Sequence, residues 1–106
     1  MPDTCLLLTT CGSAETSEAI AEALVDGGSA ASVTLLPRVR SFVAYHGHKR
    51  WEEEFQLLVY TTEERLEAAY AAIQALHTYQ DPPIFRVDLA GGTGPALAWL
   101  RSMGRD

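Results

Sequence analysis

The chain has 106 residues, of which 47% are hydrophobic and 21% charged, and its formal net charge at pH 7 is -6. This length fits one domain over residues 1–106, and the composition is typical of a globular protein. The negative charge repels nucleic acid and anionic membranes, so we expect neither as a partner. The sequence also has no apolar run long enough to span a bilayer.

The N-terminal residues and the cysteines bear on localisation. Asp3 lies before the first apolar run and no basic segment precedes that run, so we expect no signal peptide. Cys5 and Cys11 would lie about 20 Å apart along an extended strand, which is too far for a disulfide. We therefore predict two free thiols and a reducing, cytoplasmic location.

The first elements are a strand and a helix. Residues 4–10 form a short continuous apolar run, which favours a strand buried on both faces. Ser13 is a suitable N-cap for the helix that follows, and Gly27-Gly28 is expected to end that helix. Its inward stripe is Ile20, Ala23 and Leu24.

Residues 30–60 predict a long hairpin. The second strand covers residues 30–36 and is expected to end at Pro37, after which residues 38–45 continue as extended chain. The segment His46-Gly47-His48-Lys49 predicts the turn. The third strand covers residues 51–60, and its pattern places Phe55, Leu57 and Val59 on one face.

A second helix, a fourth strand and a last helix complete the chain. Thr61 and Glu64 have the spacing of a capping box, which predicts a helix start at this point. Pro82-Pro83 ends the helical pattern, residues 84–89 alternate as a strand, and Pro95 suits the first turn of a last helix. Inward positions are Leu66, Ala69, Tyr70, Ile73, Leu76 and His77 in the second helix, and Leu97, Leu100 and Met103 in the last.

This order of elements predicts an α+β fold of the ferredoxin-like type, a split βαβ sandwich (β-α-β-β-α-β) with an added C-terminal helix. Right-handed crossovers would place the first two helices on one face of an antiparallel sheet. Phosphate-binding motifs and nucleophile elbows are missing from the sequence. The fold alone does not exclude a small enzyme on this scaffold, which stays a hypothesis.

Two residues are candidate metal ligands at the ends of predicted elements. Cys11 follows the first strand near a helix N-terminus, a position that lowers a thiol pKa, although a free cysteine is commonly a small buried hydrophobe. His77 ends the second helix, where it could cap a carbonyl or offer a neutral nitrogen to a metal.

His46 and His48 form a second candidate, since imidazole suits copper, nickel or zinc, and the following glutamates could complete a shell. Two neighbouring histidines without fixed partners are a weak signal, and a solvated hairpin tip is the favoured interpretation.

Five segments, taken together, resemble one known family, the CutA family of divalent-cation tolerance proteins. They lie in one register and cover nearly the whole chain. These segments are Leu8-Thr9-Thr10; Ala30-Ala31-x-Val33 with Pro37-x-Val39-x-Ser41; Gly47, Glu54 and Thr61-Thr62; Leu76-His77-x-Tyr79-x-x-Pro82-x-Ile84; and Leu97-x-Trp99-Leu100.

The resemblance implies a homotrimer, similar to the PII signal proteins, whose hairpin strands pair across subunits. It also implies a role in tolerance or binding of divalent metal ions, often copper, in a protein that is not an enzyme and needs no organic cofactor. A PII-like sensor that binds a small molecule in clefts between subunits is the alternative, and a small enzyme on the same scaffold is the third hypothesis.

The chain departs from the family pattern at positions that carry polar or ligating groups. Ser32, Thr34, Tyr60 and Gln80 stand where the family commonly has Cys, Asn, Lys and Glu. A hydroxyl and a neutral amide are poorer ligands than a thiolate and a carboxylate. We therefore expect a metal site that is weaker than in a typical family member, or differently built.

Overall fold

A computed structural model describes residues 3–105 of the chain. It contains a four-stranded sheet in the order β2-β3-β1-β4, and each neighbouring pair is antiparallel. This is the ferredoxin-like arrangement that the element order predicted. The elements are β1 (Thr4–Cys11), α1 (Ala14–Asp26), β2 (Ser32–Tyr45), β3 (His48–Thr62), a 3₁₀ turn (Glu63–Arg65), α2 (Leu66–Leu76), β4 (Ile84–Asp88) and α3 (Gly94–Arg101).

The ends of α1 follow the predicted signals. The Ser13 hydroxyl accepts a hydrogen bond from the backbone N–H of Thr16 at 3.1 Å, which satisfies one of the free donors of the first turn. Gly27 caps the other end, and Gly28 has a φ of +75°, a conformation that glycine adopts without steric cost.

The core lies between the sheet and the helices α1 and α2. Alternate residues of β1 and β3 point toward both helices and are fully buried, so both helices pack on one face, as expected. The buried apolar cluster comprises Cys5, Leu7, Cys11, Leu57 and Val59 from the sheet, Ile20 and Leu24 from α1, Ala30 from the following loop, and Leu66, Ala69 and Ile73 from α2.

The opposite face of the sheet, which we call the open face, is less well covered. Leu6 and Leu8 are half-buried there, and their β4 partners Val87 and Phe85 are 42% and 66% exposed. The prediction that β1 is buried on both faces was therefore wrong, because α1 and α2 cover one side of the sheet.

The hairpin is longer and its turn tighter than the sequence predicted. β2 continues through Pro37 to Tyr45, and the register shifts between Leu36 and Val39. A β-bulge tolerates a proline because the hydrogen-bond ladder between the strands requires no backbone N–H donor at that position. Tyr45 pairs with His48, so the turn has two residues, His46 and Gly47, both with positive φ.

The start and end of α2 also differ from the sequence prediction. Thr61 lies in β3, buried, and its hydroxyl donates to the backbone oxygen of Ser29 at 2.6 Å, so it forms no capping box. Leu66, Ala69 and Ile73 are buried as predicted. Leu76, however, is 42% exposed, because it lies in the last turn beyond the edge of the core.

Helix α3 lies against β1 and β3 near the chain ends. Leu100 is buried, whereas Leu97 and Met103 are half-buried. Arg101 donates from Nε and Nη2 to the Asp3 carboxylate at 3.0 and 3.1 Å. Among residues 3–105, no helix has the length and apolar character to cross a membrane.

Candidate functional site

The structure brings two of the predicted site residues together. Cys11 is the last residue of β1, and His77 directly follows α2 where that helix ends over the sheet. The Cys11 Sγ and the His77 Nε2 lie 3.7 Å apart. Their meeting follows from the fold, since β1 and α2 both terminate at the same end of the sheet.

Both nitrogens of His77 are engaged. The backbone N–H of Tyr79 donates to Nδ1 at 3.2 Å, so Nδ1 carries no proton. Nε2 lies 2.8 Å from the backbone oxygen of Thr10, which can only accept, so Nε2 holds the proton of the neutral ring. His77 therefore ties the segment after α2 to the end of β1.

A buried carboxylate and a phenol lie next to this pair. Glu54 on β3 is 5% exposed, and the Tyr79 hydroxyl donates to its Oε2 at 2.7 Å. Burial and this hydrogen bond raise the pKa of Tyr79 above its ordinary value. The Tyr79 ring also lies close to Gly12, where a Cβ would come within 3.4 Å of it.

The environment of Cys11 favours the neutral thiol. Burial, and secondarily the nearby Glu54, raise the pKa of Cys11 to about 11. The expectation of a lowered thiol pKa was wrong, because burial of the thiol and the nearby Glu54 both disfavour the thiolate. Cys5 and Cys11 are both free thiols, as predicted.

His46 and His48 lie at the tip of the hairpin and are exposed. Because Phe55 is the β3 residue that pairs with Cys11, His48 is seven residues farther along the strand, roughly 23 Å in extended chain. The structure therefore does not place these two histidines beside the Cys11–His77 pair.

The residues at the Cys11–His77 pair do not fit a divalent metal centre as they are arranged. A metal bound at Nε2 would replace the proton that Nε2 donates to the backbone oxygen of Thr10. The ring proton would then have to lie on Nδ1, where it would face the Tyr79 N–H, which is itself a donor. A metal at Cys11 would have to remove a thiol proton that burial holds. Among residues 3–105 no group of three or more His, Cys, Asp or Glu side chains is arranged to hold a metal ion.

An open cavity of about 560 Å³ lies beside these residues, between the outer half of the hairpin and the segment after α2. We call it the hairpin cavity. Its lining is Thr10, Val43, Ala44, Tyr45, Arg50, Glu52, Glu54, Tyr79, Gln80, Asp81 and Pro83.

The four positions that depart from the family pattern separate into two places. Tyr60 pairs with Ser32 and with Leu6, and Thr34 pairs with Leu58, which places the three departures on the open face. Gln80 lines the hairpin cavity. Sequence reasoning did not single out Glu54 or Tyr79, although both belong to the family-like segments. Glu54 belongs to a run of three glutamates that gave no sign of its burial.

Comparison with known proteins gives a consistent result. A family model described as CutA1 divalent ion tolerance protein matches residues 5–103. The divalent-cation tolerance protein CutA of Thermus thermophilus is 34% identical over 96 residues, which cover 91% of this chain and 93% of the relative. The crystal structure of CutA from Xylella fastidiosa has a TM-score of 0.91 at 32% identity, and covers 95% of this chain and 97% of that chain. The structure of the Thermus thermophilus protein has a TM-score of 0.90 at 33% identity, with 93% and 96% covered.

Proposed function

Since this chain belongs to the CutA1 family of divalent ion tolerance proteins, we propose that it acts in divalent-cation tolerance as a homotrimer. We further propose that copper is the principal cation and that the protein works by binding and not by catalysis. The open face is the observation that supports the assembly.

The open face has the composition of a surface that another chain covers. Phe85, Val87 and Leu36 are 66%, 42% and 38% exposed, and Leu6, Leu8 and Leu58 lie half-buried among them. Contiguous exposed apolar patches on monomeric proteins are small, and larger ones commonly mark interaction surfaces. Burial of this face in a closed assembly would remove it from water.

The hairpin gives independent support. Phe42, Trp51 and Tyr45 are 59%, 58% and 55% exposed, and the outer edge of β2 leaves its backbone groups unpaired within residues 3–105. An exposed, long, aromatic-rich edge strand is prone to aggregation unless another chain pairs with it. In a closed, symmetric ring of copies, each exposed edge strand is covered by a neighbouring chain.

The Cys11 thiol supports a protein that does not act by nucleophilic catalysis. A thiol with a pKa of about 11 is almost wholly protonated at neutral pH, and only the thiolate is a good nucleophile. Thiolate and imidazole are ligand types that copper prefers, so copper is the cation we propose for this pair, once binding has displaced the Cys11 proton and the His77 hydrogen bonds. Two free thiols also support a reducing, cytoplasmic location.

The hairpin cavity favours a second candidate function, that of a small-molecule sensor, but not a sensor of nucleotides. Phosphate groups require cationic side chains or backbone nests. The cavity is lined by Glu52, Glu54 and Asp81 against Arg50, and Arg50 is paired with Glu52. An anionic ligand would be repelled there.

Growth in raised Cu²⁺ tests the proposed function. In a bacterium lacking its own family gene, the wild-type chain should restore tolerance. Phe85→Lys, which places a charge on the open face, should not, whereas Glu67→Lys on the exposed side of α2 should restore it fully. Failure of the wild type to restore growth, or equal rescue by both variants, would contradict the proposal.

A further inference from the structure

Two side chains fix the segment after α2 to two different strands of the sheet. His77 reaches the end of β1, where its Nε2 donates to the backbone oxygen of Thr10 at 2.8 Å. Tyr79 reaches β3, where its hydroxyl donates to Glu54 at 2.7 Å. Between the two residues, the backbone N–H of Tyr79 donates to the His77 Nδ1 at 3.2 Å. The contacts that hold Tyr79 in place therefore also determine which nitrogen of His77 lacks a proton.

Tyr79 is held firmly by its surroundings. Its ring lies 4.8 Å from the His77 ring, centroid to centroid, and so close to Gly12 that a Cβ there would come within 3.4 Å of it. Its acceptor Glu54 is 5% exposed, and no ion pair within residues 3–105 includes that carboxylate. A buried carboxylate that loses its hydrogen-bond donor bears the full cost of desolvation, so the Tyr79–Glu54 hydrogen bond is strongly favoured.

This arrangement opposes metal binding at the nitrogen that is nearest to the thiol. The His77 Nε2 lies 3.7 Å from the Cys11 Sγ, but it carries the ring proton and so has no free lone pair. A histidine ligates a metal through an unprotonated nitrogen. In metal sites, the partner of the other ring nitrogen normally fixes the tautomer that favours the metal. Here the Tyr79 N–H fixes the opposite tautomer.

We propose that the Tyr79–Glu54 hydrogen bond is a latch that keeps His77 in the tautomer that does not bind metal ions. Tyr79 is then a positioning residue for the Cys11–His77 pair. When the latch is broken, the Tyr79 N–H leaves Nδ1, the ring gives its Nε2 proton to water and takes one at Nδ1, and its charge is unchanged. Nε2 then presents a lone pair beside Cys11.

The latch is formed within one chain, so it does not depend on which surfaces the proposed trimer covers. It concerns the regulation of the proposed copper site and rests on that proposal for its metal measurement only. The tautomer of His77 is a property of the metal-free protein and is measured separately.

Two variants break the latch from opposite sides, and two others keep it. Tyr79→Phe removes the hydroxyl that donates, and Glu54→Leu removes the carboxylate that accepts. Glu54→Gln removes the charge but keeps an oxygen that accepts from Tyr79, so it separates the effect of the hydrogen bond from that of the charge. Tyr70→Phe removes a hydroxyl from a half-buried tyrosine of α2 that packs against the core, and serves as the matched control.

NMR spectra that correlate ring protons with ring nitrogens give the tautomer, with the His77 signals assigned by His77→Ala, and a competing chelator gives the affinity for Cu(I). The wild type, Glu54→Gln and Tyr70→Phe should hold the proton on Nε2 and bind Cu(I) weakly. Tyr79→Phe and Glu54→Leu should populate both tautomers and bind Cu(I) at least about tenfold more tightly. Adding His77→Ala to Tyr79→Phe should remove this gain.

A merely structural role for Tyr79 would lower the resistance to urea and leave the tautomer and the Cu(I) affinity unchanged. The proposal is overturned by that result, by a wild-type ring that carries its proton on Nδ1, or by a Glu54→Gln variant that behaves as Glu54→Leu does. If one latch-breaking variant fails to fold, the other decides. Absence of Cu(I) binding in every protein would contradict the proposed copper role, whereas the tautomer would still decide the latch.

Discussion

At the scale of single residues, His77 shows how hydrogen bonding decides what a side chain can do. Its position after α2 allowed either a structural cap or a metal ligand. In the fold, the Tyr79 N–H and the Thr10 carbonyl occupy its two nitrogens. The ring therefore holds two segments together, and its use as a ligand would break at least one of these hydrogen bonds.

Copper binding should accordingly be weak and dependent on this pair. We predict that the wild type binds Cu(I) less tightly than the Thermus thermophilus relative, because metal binding must displace the Cys11 proton and the His77 contacts. Cys11→Ser with His77→Ala should weaken binding further, by at least about tenfold. His46→Ala with His48→Ala, the control pair at the hairpin tip, should change little.

A competing chelator of known affinity measures all four proteins. Affinity equal to that of the relative would refute the claim of weakening. If the double variant of Cys11 and His77 binds as the wild type does, the ligands lie elsewhere in the chain.

The raised pKa of Cys11 predicts a loss of stability in alkali. The folded thiol has a pKa of about 11, against an ordinary 9.0. The resulting stabilisation is complete below the unfolded value and is lost as pH rises through the folded value, because the unfolded chain releases its proton first. Urea unfolding near pH 8 and near pH 10.5 should therefore show a larger decrease for the wild type than for Cys11→Ala. Parallel decreases would contradict this burial effect.

At the scale of elements, α2 shows which periodic positions contribute to the core. Ile73 is fully buried, whereas Leu76 is 42% exposed, although both fit the same helical stripe. Ile73→Ala should lower the free energy of unfolding by roughly 2–5 kcal/mol, because it leaves a cavity beneath the helix. Leu76→Ala, the matched control, should cost below about 1 kcal/mol.

Chemical denaturation at one fixed protein concentration measures both variants, since association would otherwise alter the apparent stability. Equal losses would mean that the two positions are not distinguished by burial as the structure has them.

Local signals predicted the elements better than their junctions. Ser13 and Gly27-Gly28 act through backbone groups nearby in sequence, so both helix ends could be predicted. Thr61 resembled a capping residue, but its hydroxyl donates to Ser29, which is 32 residues away along the chain. Only the folded sheet provides that partner, and it therefore determines the conformation at Thr61.

The hairpin shows the same limit. Pro37 normally ends a strand, and the expectation that it does so here failed because the register shift after Leu36 accommodates it. For a similar reason, only part of the candidate site could be predicted from the sequence. Cys11 and His77 could be placed at element ends, whereas the burial of Glu54 depends on Tyr79, which reaches it from 25 residues away.

At the scale of the whole molecule, α1 and α2 cover one face of the sheet and leave apolar side chains on the other. Phe85 and Val87 on β4, together with the aromatic residues of the hairpin, are more exposed than an isolated chain of this composition would favour. A trimer that buries the open face and pairs the hairpin edges accounts for both features. Assembly is therefore the central claim of the proposed function.

Light scattering coupled to size-exclusion chromatography tests that claim most directly. At micromolar concentration the wild type should elute with three times its chain mass of 11.6 kDa. Phe85→Lys should shift toward the monomer, because a charge on the open face would be buried without a partner, whereas Glu67→Lys should remain trimeric. A wild type that elutes at 11.6 kDa across that concentration range would contradict the account.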